Sequence, residues 1–409
     1  MNKYLIFFFL IILNYTCNSQ SANFAFQQGE ELMEKQQYDE AIAKFQYVLR
    51  KDPYYYEAYY DLGIISLKQD KKEDAFVNFG MAIKTNSNYK EAYEQHAALA
   101  MELKKYKEGL ADCNQLIRLD KTKANYYARR ADFYKALHKT DKAYADYLKA
   151  ISLGTTDPDL YHDVALMARD KKNDADFLKF ISKAITLKPT YADALYLRGQ
   201  YYFNQEDTGK ANADLIKVYS LNPKKYGEKL PTLLSEIAFH QNNYKQALVY
   251  CNDVINTYHS KDSKIWIRKA LCQKALKQNA EAIKTLNKAS AYDRSNPEIF
   301  IERALINDQL GKTQLAKTDF TKAINLDKKN PLPYYRRALY YLDKKKFDAA
   351  INDFTMAIKY NKKPPADYFF YRGSCYYATH QKDKACEDLT KASEMGHQKA
   401  KKVKGKICY

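Results

Sequence analysis

The chain is poor in residues that break helices or build turns. It holds one Trp, ten Pro and twelve Gly in 409 residues. That scarcity argues against a turn-rich β fold and for long helices. No Cys-x-x-Cys occurs among the seven cysteines, and none stands at finger spacing from a His, so no metal site is expected. Gly-x-Ser-x-Gly, His-Glu-x-x-His and a phosphate-binding Gly-rich loop are all missing. The seven His, at 96, 138, 162, 240, 259, 380 and 397, are scattered and read as surface or packing residues. Nothing assembles a nucleophile, a base and an orienting group, so neither an enzyme nor a cofactor is expected.

The apolar run Tyr4 to Leu13 is ten residues long and follows Met1-Asn2-Lys3. A bilayer-spanning helix takes about 20 residues. The run is instead the size of a secretory h-region, so residues 1–21 are assigned as signal peptide and tether. Cleavage after Ser19 puts Cys17 and Ser19 at the two small-residue positions. Alternatively Cys17 is a lipidated mature N-terminus followed by an Asn-Ser-Gln-Ser tether, although Thr16 before it departs from the usual Gly, Ala or Ser. A third reading leaves the segment as an uncleaved anchor. Export implies the periplasm, or anchorage at the outer membrane of a Gram-negative bacterium. Membrane contact is then expected only through an N-terminal lipid.

The formal net charge is +18. It fits an anionic partner, or simply a Lys-rich proteome, since Lys, Asn, Ile and Tyr are all plentiful. Asp and Glu read as solvated helix-face residues opposite Lys.

What the chain has in abundance is periodicity. Frames of 34 residues start at 22, 56, 90, 124, 158 and 192, then, after two extra residues, at 228, 263, 297, 331 and 366. Position 8 is always small, as in Gly29, Gly63, Ala97, Ser235 and Gly373. Position 20 is small in ten of eleven frames, with Phe177 the exception. Small residues at both places let two helices cross closely. Position 4 is large and mostly aromatic, as in Tyr93, Trp266 and Phe369, and position 24 is apolar throughout. Positions 20, 24 and 27 share one helical face. Pro53, Pro189 and Pro223 mark unit ends.

This pattern resembles the tetratricopeptide repeat family over residues 22–399, in stretches such as Asp61-Leu62-Gly63, Leu197-Arg198-Gly199-Gln200-Tyr201-Tyr202 and Ala350-Ile351-Asn352-Asp353-Phe354. The resemblance implies an all-α fold, a right-handed superhelical solenoid of about eleven antiparallel helix pairs. Residues 400–409 would add a C-terminal capping helix rich in lysine. It also implies a non-enzymatic scaffold holding a peptide or protein segment in a concave groove made by positions 2, 5, 6, 9, 12 and 13. Here those positions include Tyr60, Arg129, Tyr196, Gln200, Phe203, Arg268, Tyr335, Arg336, Phe370 and Tyr377. Arg flanked by Tyr suits protein interfaces, and Arg129, Tyr196, Arg268 and Arg336 are expected to be at least partly exposed. For Tyr60, Phe203 and Phe370, packing between repeats is the competing role. The Lys and Asn set by which chaperone-type members hold a peptide carboxylate is not reproduced. Frame 8 supplies Lys264 and Arg268, but earlier frames offer Tyr196, Gln200 and Leu233. A basic solenoid binding nucleic acid or another anionic polymer is the alternative. Repeats that read RNA use a 35-residue unit, and export separates the chain from nucleic acid, so no nucleic acid is expected.

Three cysteines crowd the end of the chain. Cys375 and Cys386 flank the last hairpin turn at similar height, at about 1.5 Å rise per residue, and Cys408 reaches either from the capping helix. An oxidising compartment would bridge one pair; the alternative is three buried free thiols.

Overall fold

The computed structural model describes residues 20–408, and every regular element among them is an α-helix. Twenty-three helices form eleven pairs and a last single helix. The first pair is α1 (residues 20–34) with α2 (Tyr38–Lys51), and the single helix is α23 (Gln398–Ile407). Nine of the first helices open at position 1 of the frame, for example at Tyr56, Lys90, Ala124, Ser263 and Ala366; the other two open at Gln20 and Lys229. Second helices open at position 17 from Tyr38 to Lys382. The described chain divides into two compact units between Ala194 and Leu195, so the array assigned to 22–399 spans both.

Two boundaries differ from those expected. The chain is already helical at Gln20, inside the assigned tether, because Ala22 and Ala25 dock into the first core cluster. Burying those residues gives the helix the tertiary support that a short terminal helix needs. The capping helix runs Gln398–Ile407 rather than 400–409, because the His397 ring caps it by accepting the Ala400 N–H at 3.0 Å. The assigned signal segment with Cys17 lies outside the described residues apart from its last two, and so does Tyr409.

Each hairpin turns on one residue at position 15 in the left-handed region. Ten of these carry side chains, among them Asp70, Lys104, His138 and Lys345, and Gly311 is the eleventh. Around Asp70 the Lys71 N–H donates to the Ser66 carbonyl at 2.8 Å and the Asp70 N–H to Leu67 at 3.0 Å. This Schellman closure satisfies the last carbonyls of the first helix and reverses the chain. The paired helices then cross at the small positions. A Cβ on Gly63 would stand 2.6 Å from the Phe79 ring, and one on Gly373 3.2 Å from the Ala385 carbonyl oxygen.

A second contact within the hairpins is ionic. Position 7 of the first helix faces position 23 of the second. Arg130–Asp146, Arg198–Asp214, Arg303–Asp319, Arg337–Asp353 and Arg372–Asp388 are forked pairs with N···O distances of 2.6–2.9 Å. In the third repeat His96 replaces the Arg, with its Nδ1 2.6 Å from Asp112 and its ring stacked on Phe76. All six of these Asp are buried. The expectation that acidic residues lie on solvated faces therefore fails at position 23. That position points between the helices, where the guanidinium fork offsets the cost of desolvating the carboxylate.

At the C-terminus a disulfide joins Cys386 on α22 (Lys382–Glu394) to Cys408, with Cα atoms 5.5 Å apart. Cys375 is instead a buried free thiol packed on Phe354 and Ala350. Position 10 of a first helix faces the preceding repeat, so Cys375 points away from Cys386.

Candidate functional site

In the second unit the first helices α13 (Lys229–His240), α15 (Ser263–Ala275) and α17 (Pro297–Gln309) touch one another in succession. Between them lies a cavity of about 250 Å³. Its apolar lining is Phe239, Ile267 and Leu271; its basic lining is His240, Lys264 and Arg268, with Glu298 opposite. These residues occupy positions 12 and 13 of one first helix, 2, 5, 6 and 9 of the next and 2 of the third. A helical period of 3.6 puts 2, 5, 6 and 9 on one stripe, which is why three successive hairpins converge on a single hollow.

The charges in this hollow are unevenly tied. Arg268 is fixed from α13, donating to Ser235 Oγ at 2.9 Å and pairing with Glu236 at 2.9 Å. Behind it Lys274 pairs with Glu302 at 2.9 Å. Lys264 is exposed and makes no ion pair among the described residues. Burial, and then Glu302, push the Glu298 carboxyl above its ordinary range, while Lys264 pulls it back. The site therefore offers one mobile ammonium and one fixed guanidinium above an apolar floor. It has no paired nucleophile and base. Among the described residues no group of three or more His, Cys, Asp or Glu is placed to hold a metal, and no helix is long and apolar enough to cross a membrane.

Of the ten residues assigned to the groove, Arg268 alone lines this cavity. Most of the aromatic ones pack on the segment that leads into the next first helix or on that helix itself. Tyr60 packs on Tyr89, Tyr335 stacks on Tyr368 and Phe370 stacks on His397, with ring centroids 5.1, 4.3 and 4.2 Å apart. Tyr196, expected to be partly exposed, is only 8 % exposed. Tyr226, one of the two extra residues between frames, stacks on it at 3.9 Å. Arg129 donates to the Glu94 carbonyl at 2.7 Å, and Arg336 is half-buried. Gln200 and Phe203 are half-buried, and Tyr377 is half exposed. The signal for packing was present: Tyr55, Tyr89 and Tyr191 recur at position 34, where each meets the ring at position 5 of its own frame. Phe239, His240, Ile267, Leu271 and Glu298 went unassigned. Their signal was the apolar pair at positions 5 and 9 of frame 8, flanked by charge at position 2.

Models of the tetratricopeptide repeat match residues 26–87 and 335–393, and also 124–153, 192–225, 263–296 and 297–330. Together they cover more than half of the chain. Among curated proteins none matches. Solved structures similar to this chain include yeast Tom70, at 16 % identity and TM-score 0.40 over 92 % of this chain and 85 % of that one. Pseudomonas aeruginosa pilF is similar at 14 % identity and TM-score 0.42, over 55 % of this chain and 99 % of its own. The C-terminal part of a repeat-containing protein from Cytophaga hutchinsonii is similar at 18 % identity and TM-score 0.43, over 59 % and 97 %. At such identities the likeness is one of fold alone.

Proposed function

The chain belongs to the tetratricopeptide repeat family, and from that premise we propose that it is a non-enzymatic scaffold that holds a protein segment on the first helices of its second unit. The observation that carries this reading is the cavity between α13, α15 and α17. Its floor takes one apolar side chain, and Lys264 takes a carboxylate beside it. A segment that pairs an aliphatic or aromatic residue with an acidic neighbour fits that combination. Phe239 and Leu271, both partly exposed, supply non-directional burial, while Lys264, which makes no ion pair among the described residues, supplies charge complementarity.

The proposed place of action rests on the N-terminal sequence. The proposal sets the scaffold outside the cytoplasm, in the periplasm or held at an outer membrane through Cys17; the sequence Met1 to Leu13 supports it. The test uses the full chain with a photo-crosslinker at His240, expressed in its own envelope. The expected result is a discrete protein adduct that is lost in the Lys264→Glu variant while circular dichroism is unchanged. An adduct formed equally by both forms, or none in wild type, overturns the groove. Recovery of the mature chain from the cytosolic fraction overturns the location.

A further inference from the structure

Position 24 of one repeat packs on position 10 of the next. Phe79 with Leu99, Leu286 with Ile306 and Phe354 with Cys375 share core clusters in this way. Only between α14 (Tyr244–Thr257) and α15 are both positions cysteine, Cys251 and Cys272. Both are free thiols with no exposed surface, and each is the largest influence on the other's titration. Their surroundings are more polar than at equivalent contacts. Ser235 stands at position 8, where every other frame has Gly or Ala, and its hydroxyl donates to the Thr232 carbonyl at 2.7 Å. Arg268, which lines the groove above, donates to that same Ser235 hydroxyl. A pair that served only as small hydrophobes would need neither the hydroxyl nor the guanidinium.

We propose that Cys251 and Cys272 are a dithiol that closes to a second disulfide, tying α14 to α15 directly beneath the groove. The neighbouring Cys272 thiol, and then the Arg268 charge, lower the Cys251 thiol against the opposing effect of burial. Cys251 and burial push Cys272 up. Once the contact opens either thiol can attack first, and with Cys251 attacking, Cys272 resolves. The oxidant is a disulfide of the glutathione class. The Cys251 thiolate bonds to one of its sulfurs, and the other leaves as a thiol. Cys272 then attacks Cys251 in the mixed disulfide and releases the second thiol. Two cysteines lose an electron each, the external disulfide gains both, and the two cysteine protons end on the released thiols. With both sulfurs buried, exchange proceeds while the α14–α15 contact is open, in folding or in local unfolding of that boundary.

The test is a disulfide map of the full chain, purified without reductant and exposed to oxidised glutathione through a series of urea concentrations below global unfolding. Remaining thiols are trapped with iodoacetamide, and peptides are read by mass spectrometry. The expected result is a joined 251–272 peptide in samples where Cys386–Cys408 is joined and Cys113 and Cys375 are alkylated. Cys251 and Cys272 both alkylated at every urea concentration, with Cys386–Cys408 bridged, overturns the proposal. In the Cys272→Ser and Cys251→Ser variants the remaining cysteine of the pair should accumulate as the mixed glutathione disulfide at the same urea concentrations. Its full alkylation in both variants overturns the proposal. If either variant fails to fold, the wild-type map still decides.

Discussion

Gly109 offers the most direct test of how neighbouring repeats interlock. It lies in α6 (Tyr106–Leu119) at position 20, where nearly every other frame has Ala. In an exposed helix interior Gly→Ala would add about 0.8–1.0 kcal/mol of stability. Here a Cβ would fall 2.1 Å from the tip of the Phe133 ring and 2.4 Å from the next ring atom. Phe133, on α7 (Ala124–Ala136), is fully buried, so its ring has no solvent to swing into. Overpacking a filled core costs roughly 1–3 kcal/mol. The two effects net to a predicted loss of about 0–2 kcal/mol for Gly109→Ala. Elsewhere the same contact pairs Ala41 with Ile65 and Ala75 with Leu99, so the small residue and its partner are matched in size. Adding Phe133→Leu should therefore relieve the clash. The double variant should be more stable than the sum of the singles by about 1–3 kcal/mol. Urea unfolding of the full chain followed by circular dichroism, with hydrogen exchange on α6 and α7, measures all four corners of the cycle. A gain in stability from Gly109→Ala alone, or strict additivity, would refute the interlock.

Three further predictions use the same logic. Arg337→Leu leaves Asp353, whose side chain is 7 % exposed, without its fork; it should cost about 3–5 kcal/mol, and adding Asp353→Phe should recover most of that in urea unfolding. Lys345 is exposed at φ 56°, so Lys345→Gly should raise stability by about 0.5–1 kcal/mol by removing left-handed strain, as read from the unfolding midpoint. Burial, then Glu30 and Glu57, push the Asp61 carboxyl from 3.8 to about 7. With its folded value raised, Asp61 contributes stability that is complete below pH 3.8 and is lost as pH climbs through about 7. Asp61→Asn should flatten the stability profile across that window, and a titration that places the wild-type carboxyl near 4 would remove the basis for it.

The repeat register was legible in the sequence almost to the residue, because close helix crossing leaves no choice at position 8 and little at position 20, where Phe177 is the one large residue. The turn was not. Position 15 holds Asp, Lys, His, Gln, Glu or Asn and Gly only once, so the usual glycine signal for a left-handed residue is nearly absent. The Arg–Asp pairs escaped for a related reason. Arg and Asp sixteen residues apart look like two solvated charges until the hairpin brings them together. The packing of the residues assigned to a groove was harder to read. Aromatic rings at position 5 suggest binding area, yet Tyr60, Tyr335 and Phe370 are already covered by the rings of Tyr89, Tyr368 and His397. A ring already covered by protein has little area left for a partner. The apolar floor at Ile267 and Leu271 looked like core.

The position 7–23 contact shows how such an array separates what must be kept from what can vary. Five hairpins use Arg–Asp, one uses His96–Asp112, and Lys44 meets Gln28 at 2.7 Å in the first. Val164 with Phe180, and Leu234 with Tyr250, fill the same place without charge. A buried ion pair and a well-packed apolar pair of similar volume are nearly equal in stability, so neither solution displaces the other. The small crossing residue and the left-handed turn have no such equivalent and stand in all eleven repeats. Freedom to differ is then greatest where the family models leave gaps, as over residues 226–262. That stretch and the helix after it hold the apolar pair Leu234 and Tyr250, the groove residues Phe239 and His240, Ser235 and the two facing cysteines. A partner selects among surfaces, and only residues released from the repeat's packing demands can make one surface unlike its neighbours.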